Sequence, residues 1–184
     1  HPPRIPKNCK KKHKKKFIEY WNYRIRDQTI EKKLGIYNSV KKQFERSAHL
    51  DLPNFKDRRA ISKFICSDHK LEIEKGRHRG ITRENRKCRL CNTQAVEDEK
   101  HFMLECPAYT EIREEILLNP TPVAPLIQVE DVFSQIEPNK IGKYLKTASL
   151  HRDKLIEELE TKFFLSQTLN EQGHMDIWRK LQIN

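Results

Sequence analysis

Apolar positions along this chain recur at spacings of three and four, in short stretches broken by turn residues and runs of charge. That is the periodicity of helices, not of strands. Phe17, Tyr20, Trp21 and Ile25 form the first stripe, with Arg24 beside them. It fits a helix face docked on a core, with stacking of the aromatics on bases as the alternative. Beyond Gly35, the positions Ile36, Tyr37, Val40 and Phe44 suggest a second helix. Asp51-Leu52-Pro53-Asn54 signals a turn and a helix start, since proline suits a first turn and asparagine can cap it. The helix that follows would turn Phe55, Ile61, Phe64 and Ile65 inward and leave Lys56, Arg58, Arg59 and Lys63 outside. Leu71 and Ile73 lie in a charged stretch for which Gly76 is the expected stop. Pro107 opens a helix carrying Tyr109, Ile112, Ile116 and Leu117 on one side. A short helix near Val129–Ile136 precedes a longer one with Ile141, Leu145, Ala148, Leu155 and Leu159 inward, running to about Glu160. Phe163, Phe164, Trp178 and Leu181 follow without a clear placement.

The expected fold is mainly α, a small helical domain with a CCHC zinc knuckle inserted between helices. Its parts are a flexible basic arm over 1–16, a helical region over 17–118 with the knuckle core at 77–118, a linker over 119–128 and a helical segment over 129–184. The arm holds three prolines and then Lys10, Lys11, Lys12, His13, Lys14, Lys15 and Lys16. The linker runs Asn119-Pro120-Thr121-Pro122-Val123-Ala124-Pro125, which cannot continue a helix.

Charge sharpens this picture. Of the 184 residues, 37 are Lys or Arg and 26 Asp or Glu, a formal net charge of +11. Residues 1–50 carry a net +11, residues 51–90 a net +6 and residues 91–184 a net −6. Such a gradient suits a chain whose front lies along phosphates while its rear packs on itself or on protein, although a solvated lysine-rich tail has the same composition. Arg77, His78, Arg79, Arg83, Arg86, Lys87 and Arg89 crowd into thirteen positions beside Glu84 alone. Arginine forks bind phosphate oxygens in pairs, so these residues and Lys10, Lys11, Lys12, Lys14, Lys15 and Lys16 are the candidate nucleic-acid contacts.

Few classes survive the remaining counts. Five glycines exclude a collagenous chain, and five cysteines are too few for a disulfide-dense miniprotein. No apolar run approaches the roughly 20 residues that cross a bilayer. The start, His1-Pro2-Pro3-Arg4, lacks an initiator Met and an apolar leader and suggests a piece of a longer protein, and there is no permissive N-glycosylation sequon. An intracellular, nuclear setting is expected, where clustered cysteines serve as metal ligands more often than as disulfides.

The cysteines carry the sharpest chemistry. Cys88 and Cys91, then nine residues, then His101 and Cys106 give C-x2-C-x9-H-x4-C. A C-x2-C turn places two thiolates on one side of a tetrahedral ion, and H-x4-C can supply the other two ligands from across a loop. Three thiolates and one neutral imidazole around one Zn²⁺ leave a formal charge of −1, which Arg86, Lys87 and Arg89 are expected to offset. Four protein ligands leave no open position for water, so the ion is structural. Cys66 and His69 also form a C-x2-H pair, but Cys66 follows Phe64 and Ile65 and reads as a core thiol; Cys9 has no partner in the arm.

The stretch His78–Cys91, with His78-Arg79-Gly80-Ile81-Thr82-Arg83 ahead of Cys88-Arg89-Leu90-Cys91, and the stretch Val96–Tyr109, with His101-Phe102-Met103-Leu104-Glu105-Cys106-Pro107, resemble the zinc-binding tail that follows the polymerase in non-LTR (LINE-type) retrotransposon reverse transcriptases. Leu52–Phe64 and His69–Gly76 fit the same pattern, so that the likeness covers about residues 50–118. The resemblance implies a knuckle that binds RNA or DNA and supports target-primed reverse transcription, with Cys88, Cys91, His101 and Cys106 as zinc ligands and the arginines of 77–89 as candidate contacts. The nine-residue spacer departs from the shorter retroviral knuckle, C-x2-C-x4-H-x4-C.

No Asp-Asp occurs in the chain, so the two-metal polymerase centre is absent from it. Asp131, Glu137 and Lys140 are the only candidates for a nuclease after the knuckle, and they sit in a helical, proline-interrupted region. The expected protein is therefore a non-catalytic nucleic-acid-binding module partnered by RNA or DNA and by the rest of a reverse transcriptase, without membrane or small-molecule substrate. A zinc-stapled protein-interaction scaffold is the alternative, and part of a retroelement endonuclease a more distant one.

Overall fold

The computed structural model describes residues 7–26 and 35–181, with side chains over 13–23 and 35–167. Among these described residues there are seven α-helices: α1 (Lys7–Arg26), α2 (Gly35–Val40), α3 (Phe55–Ile65), α4 (Glu72–His78), α5 (Thr110–Ile116), α6 (Val129–Gln135) and α7 (Pro138–Leu181). Among the described residues there is no strand, only an isolated antiparallel bridge between Lys87 and Val96.

The prolonged apolar stripe of α7 organises the packing. Ile141, Tyr144, Leu145, Ala148, Arg152 and Ile156 are buried on it, at the three- and four-residue spacing of a helix face. Against this stripe lies α3, whose start is set by Asn54: its side chain accepts from the Lys56 N–H at 2.9 Å. Asp57, Ile61, Phe64 and Ile65 make the inner face of α3. Phe55, expected there, is 63 % exposed. It lies six residues before Ile61, about 120° away around the helix, and the Arg58 guanidinium sits 5.7 Å from its ring instead. The inward place goes to Asp57, which takes an ion pair from Lys146 of α7 at 2.7 Å. At Gly142 the two backbones approach so closely that a Cβ would lie 2.6 Å from the Asp57 Cβ.

Core side chains come from both sides of the proline-rich stretch. Phe64, Phe102, Tyr109, Leu117, Val132 and Tyr144 belong to one cluster. Residues 119–128 are irregular, as three prolines require. Leu159 falls on the α7 stripe but is exposed, because the helix outruns the core: every side chain from Glu157 to Gln167, Phe163 and Phe164 included, faces solvent. The backbone at Trp178 and Leu181 is helical, and their side chains lie outside the described ones.

Three local expectations change. The arm is helical from Lys7 onward, joined without a break to the aromatic stripe; lysine is a good helix former and nothing between them terminates the helix. Gly76 does not stop α4 but sits inside it, where a Cβ would meet Arg86 Cγ at 2.6 Å. The helix ends at His78 and is closed by the left-handed Gly80 (φ +69°), with Ile81 N–H donating to the Gly76 carbonyl and Gly80 N–H to that of Arg77, a complete Schellman closure. Cys66, expected in the core, is exposed at the end of α3.

Candidate metal centre

Two irregular segments carry the four ligands, and each is irregular for a reason. Cys88 and Cys91 lie in a loop whose ends are drawn together by the Cys88 N–H to the Ala95 carbonyl (2.9 Å) and the Glu97 N–H to the Arg86 carbonyl (2.9 Å). The loop turns back at Gln94, which holds φ at +58°. His101 and Cys106 are five apart. In an α-helix that spacing puts two side chains about 140° from each other. Residues His101–Glu105 instead form a π-turn, closed by the Cys106 N–H to the His101 carbonyl at 2.7 Å, and the wider turn brings both side chains to one side.

The wide turn leaves carbonyls that the helix itself does not satisfy, and buried side chains take them up. Tyr144 of α7 donates its hydroxyl to the Phe102 carbonyl at 2.9 Å. Arg113 of α5 donates to the carbonyls of Met103 (3.4 Å) and Cys106 (3.1 Å). Burial holds the Tyr144 phenol well above its usual range, so it remains a donor.

The four ligand atoms gather within 4.8 Å of one another. Cys88 Sγ and Cys106 Sγ are 3.9 Å apart, and Cys91 Sγ and His101 Nε2 3.4 Å. Tetrahedral zinc with bonds of about 2.3 Å to sulfur and 2.0–2.1 Å to nitrogen requires edges of roughly 3.8 Å and 3.6 Å. Both of these separations lie within about 0.2 Å of such edges, and no two of the four atoms are more than 4.8 Å apart. Cys88, His101 and Cys106 are buried and Cys91 is partly so. His101 Nδ1 is buried without a hydrogen-bond partner, and Glu105 Oε2 stands 3.8 Å away, where a small rotation would complete the carboxylate–imidazole support common around zinc.

The close approach of these groups shifts their titration. The Cys106 thiol, then His101 and the Leu90 N–H, hydrogen-bond to Cys88 and outweigh its burial, pulling its pKa down to about 3. His101 is pushed up to about 9, first by its bond to Cys88 and against its burial. Cys106 is raised by the neighbouring Cys88 sulfur and by burial. Thr93 Oγ1 lies 3.1 Å from Cys91 Sγ.

The arginines expected to offset the site's charge are otherwise engaged. Arg86 Nε and Nη1 donate to the carbonyls of Ile81 (2.8 Å) and Ile73 (2.9 Å), which locks the cysteine loop to α4. Arg89 pairs with Glu160 of α7 at 3.1 Å, Arg77 with Glu74 at 2.6 Å, Arg83 with Asp98 at 2.8 Å and Arg79 with Glu72. Lys87 is exposed, as are Lys14, Lys15 and Lys16; the side chains of Lys10, Lys11 and Lys12 lie outside the described ones. Asp131 caps α6 by accepting from the N–H groups of Ile127 (2.9 Å) and Gln128 (2.7 Å), and Lys140 donates to the Asn119 carbonyl at 2.8 Å. Among the described residues they form no metal-holding group with Glu137.

Sequence reasoning missed the anchor of this centre. Glu97, in the middle of the spacer, is fully buried and takes two hydrogen bonds of 2.7 Å from Arg152 of α7, a third of 2.8 Å from the Glu72 N–H at the start of α4. Burial works against the Arg152 charge, but the bonds and charge of Glu97 outweigh it and raise its pKa. The only signal was an arginine on the apolar stripe of α7, four residues after Ala148, which demands a buried partner. His69 and Glu99 form a second such tie at 3.1 Å between the end of α3 and the spacer. No protein-family model, curated protein or solved structure matches the chain.

Proposed function

We propose that this chain is a nucleic-acid-binding module built on one structural Zn²⁺ in a CCHC knuckle, from the tail of a retrotransposon reverse transcriptase, where it supports target-primed reverse transcription in the nucleus without itself being catalytic. One observation carries the reading: three cysteines and a histidine, drawn from segments on either side of a nine-residue spacer, bring their ligand atoms within 4.8 Å. A closed four-ligand site has no position for substrate, so its chemistry is that of a staple. Structural zinc supplies roughly 10–16 kcal/mol in small modules, more than a loop of this size gains from burying Leu90, Phe102 and Leu104. The resemblance over about residues 50–118 and the net +11 on the first fifty residues support RNA or DNA as the partner.

A second reading, a zinc-stapled protein-interaction scaffold, is favoured by the carboxylates that already occupy Arg77, Arg79, Arg83 and Arg89. One experiment separates them. The purified chain is analysed for metal, then titrated with labelled oligonucleotide at rising salt, beside Cys106→Ser. The module reading expects one equivalent of zinc, loss of cooperative unfolding in the variant and an affinity falling steeply with salt. Zinc without nucleic-acid binding leaves the scaffold; the absence of zinc ends both.

A further inference from the structure

With the arginines of the cysteine loop turned to carboxylates and carbonyls, an exposed cationic and aromatic surface without such partners lies on α1. Lys14, Lys15 and Lys16 are exposed, and among the described residues no carboxylate pairs with them. Immediately after them Tyr20 is 59 % and Tyr23 66 % exposed. These rings do not stand loose for want of a folded neighbour. The adjacent edge of the same helix is docked: Trp21 donates its indole N–H to the Tyr37 hydroxyl at 3.1 Å and meets Phe44 edge-on at 5.8 Å, and Phe17 meets Phe44 at 5.2 Å. The aromatic stripe thus divides. One edge meets Tyr37 and Phe44, and the other is left in solvent.

Lys16, Tyr20 and Tyr23 occupy positions i, i+4 and i+7, one face of the helix, with neighbouring Cβ atoms about 5–6 Å apart. A face of two tyrosines beside a lysine cluster matches a polyanion that also offers π-faces, and unpaired nucleic acid is that polymer. Its bases can stack on the rings while its phosphates meet the ammonium groups. A duplex keeps its bases stacked inside and offers this face phosphates alone. An acidic peptide likewise would satisfy the lysines and leave both rings unpartnered.

We propose that the Lys16–Tyr20–Tyr23 face of α1 is a stacking platform for single-stranded RNA or DNA, distinct from the cysteine loop. The proposal rests on the nucleic-acid reading above and assigns it a surface and a strandedness. The zinc-loaded full chain is titrated by fluorescence anisotropy into a labelled single strand and into its duplex, with Tyr20→Ala/Tyr23→Ala and Tyr20→Phe/Tyr23→Phe as variants and polyglutamate as competitor. Losing two stacked bases should weaken single-strand binding by about 30-fold or more while duplex affinity stays within about twofold. The phenylalanine pair, which keeps the π-faces, should stay near wild type. Both tyrosines are more than half exposed, so unfolding midpoints should not move. The proposal is overturned if the alanine pair weakens both nucleic acids equally, if it weakens neither although the wild type binds, or if polyglutamate competes as well as the single strand at equal charge. A wild type that binds no nucleic acid at low salt overturns the module reading itself, and this proposal with it.

Discussion

Replacing Arg152 by methionine tests whether the cysteine loop is anchored from beneath. The substitution keeps the length and apolar stem of a side chain that is almost wholly buried and removes its charge. Two charge-assisted hydrogen bonds of 2.7 Å to Glu97 are lost, at about 1.5–3 kcal/mol each, and a carboxylate with no exposed surface is left facing apolar neighbours. The sum agrees with the roughly 3–5 kcal/mol typical when one partner of a buried pair is removed. Because whole domains are stable by only about 5–15 kcal/mol, a loss of this size is readily measured. Glu97→Gln should cost a comparable amount, since it strands the guanidinium, while its remaining carbonyl can still accept from the Glu72 N–H. The double variant carries neither charge, so its cost should fall short of the two singles added together by at least about 2 kcal/mol. Urea unfolding of the four proteins in excess zinc at neutral pH, followed by circular dichroism, measures this coupling. If Arg152→Met costs under about 1 kcal/mol, or if the single effects simply add, the buried pair does not hold the loop.

Three further outcomes follow from the site and its packing. Binding of Zn²⁺ by the four groups would expel the proton that His101, raised to about 9 by its bond to Cys88, holds at neutral pH, and the proton held on Cys106. Apparent zinc affinity should therefore fall as pH falls, by at least about 100-fold per pH unit around neutrality for these two protons, which competition with a chromophoric chelator between pH 6 and 8 would read; a flat profile contradicts the ligand assignment. Without metal the signs divide. His101, raised in the fold, adds stability that is full below its unfolded value and lost as pH rises through about 9, whereas Cys88, depressed, adds stability lost as pH falls through about 3. Gly142→Ala should destabilise by about 1–2 kcal/mol in urea despite alanine's better helix propensity: its Cβ would meet Asp57 backbone atoms at 3.1 and 3.2 Å, which cannot swing aside. A stabilised variant would mean that α3 and α7 do not approach so closely.

The sequence determined what local spacing determines. Helical stripes, the Asn54 cap, the proline-broken stretch and the C-x2-C and H-x4-C pairs can all be read from neighbours a few residues apart, because caps, turns and ligand pairs act over that range. Tertiary structure decided where charge goes. Arg77, Arg79, Arg83 and Arg89 look like one basic ridge in the sequence, yet each meets an acid, and for Arg89 that acid is Glu160, 71 residues away. Arg152 on the α7 stripe signals a buried partner, but only the fold shows that it is Glu97, 55 positions away, in the most buried ion pair among the described residues. Phe55 lost its inward place to Asp57 because Lys146 waits there on another helix. Hydrophobic periodicity says which face of a helix turns inward, but a charge is placed by whichever partner the fold delivers, and that partner has no fixed address along the chain.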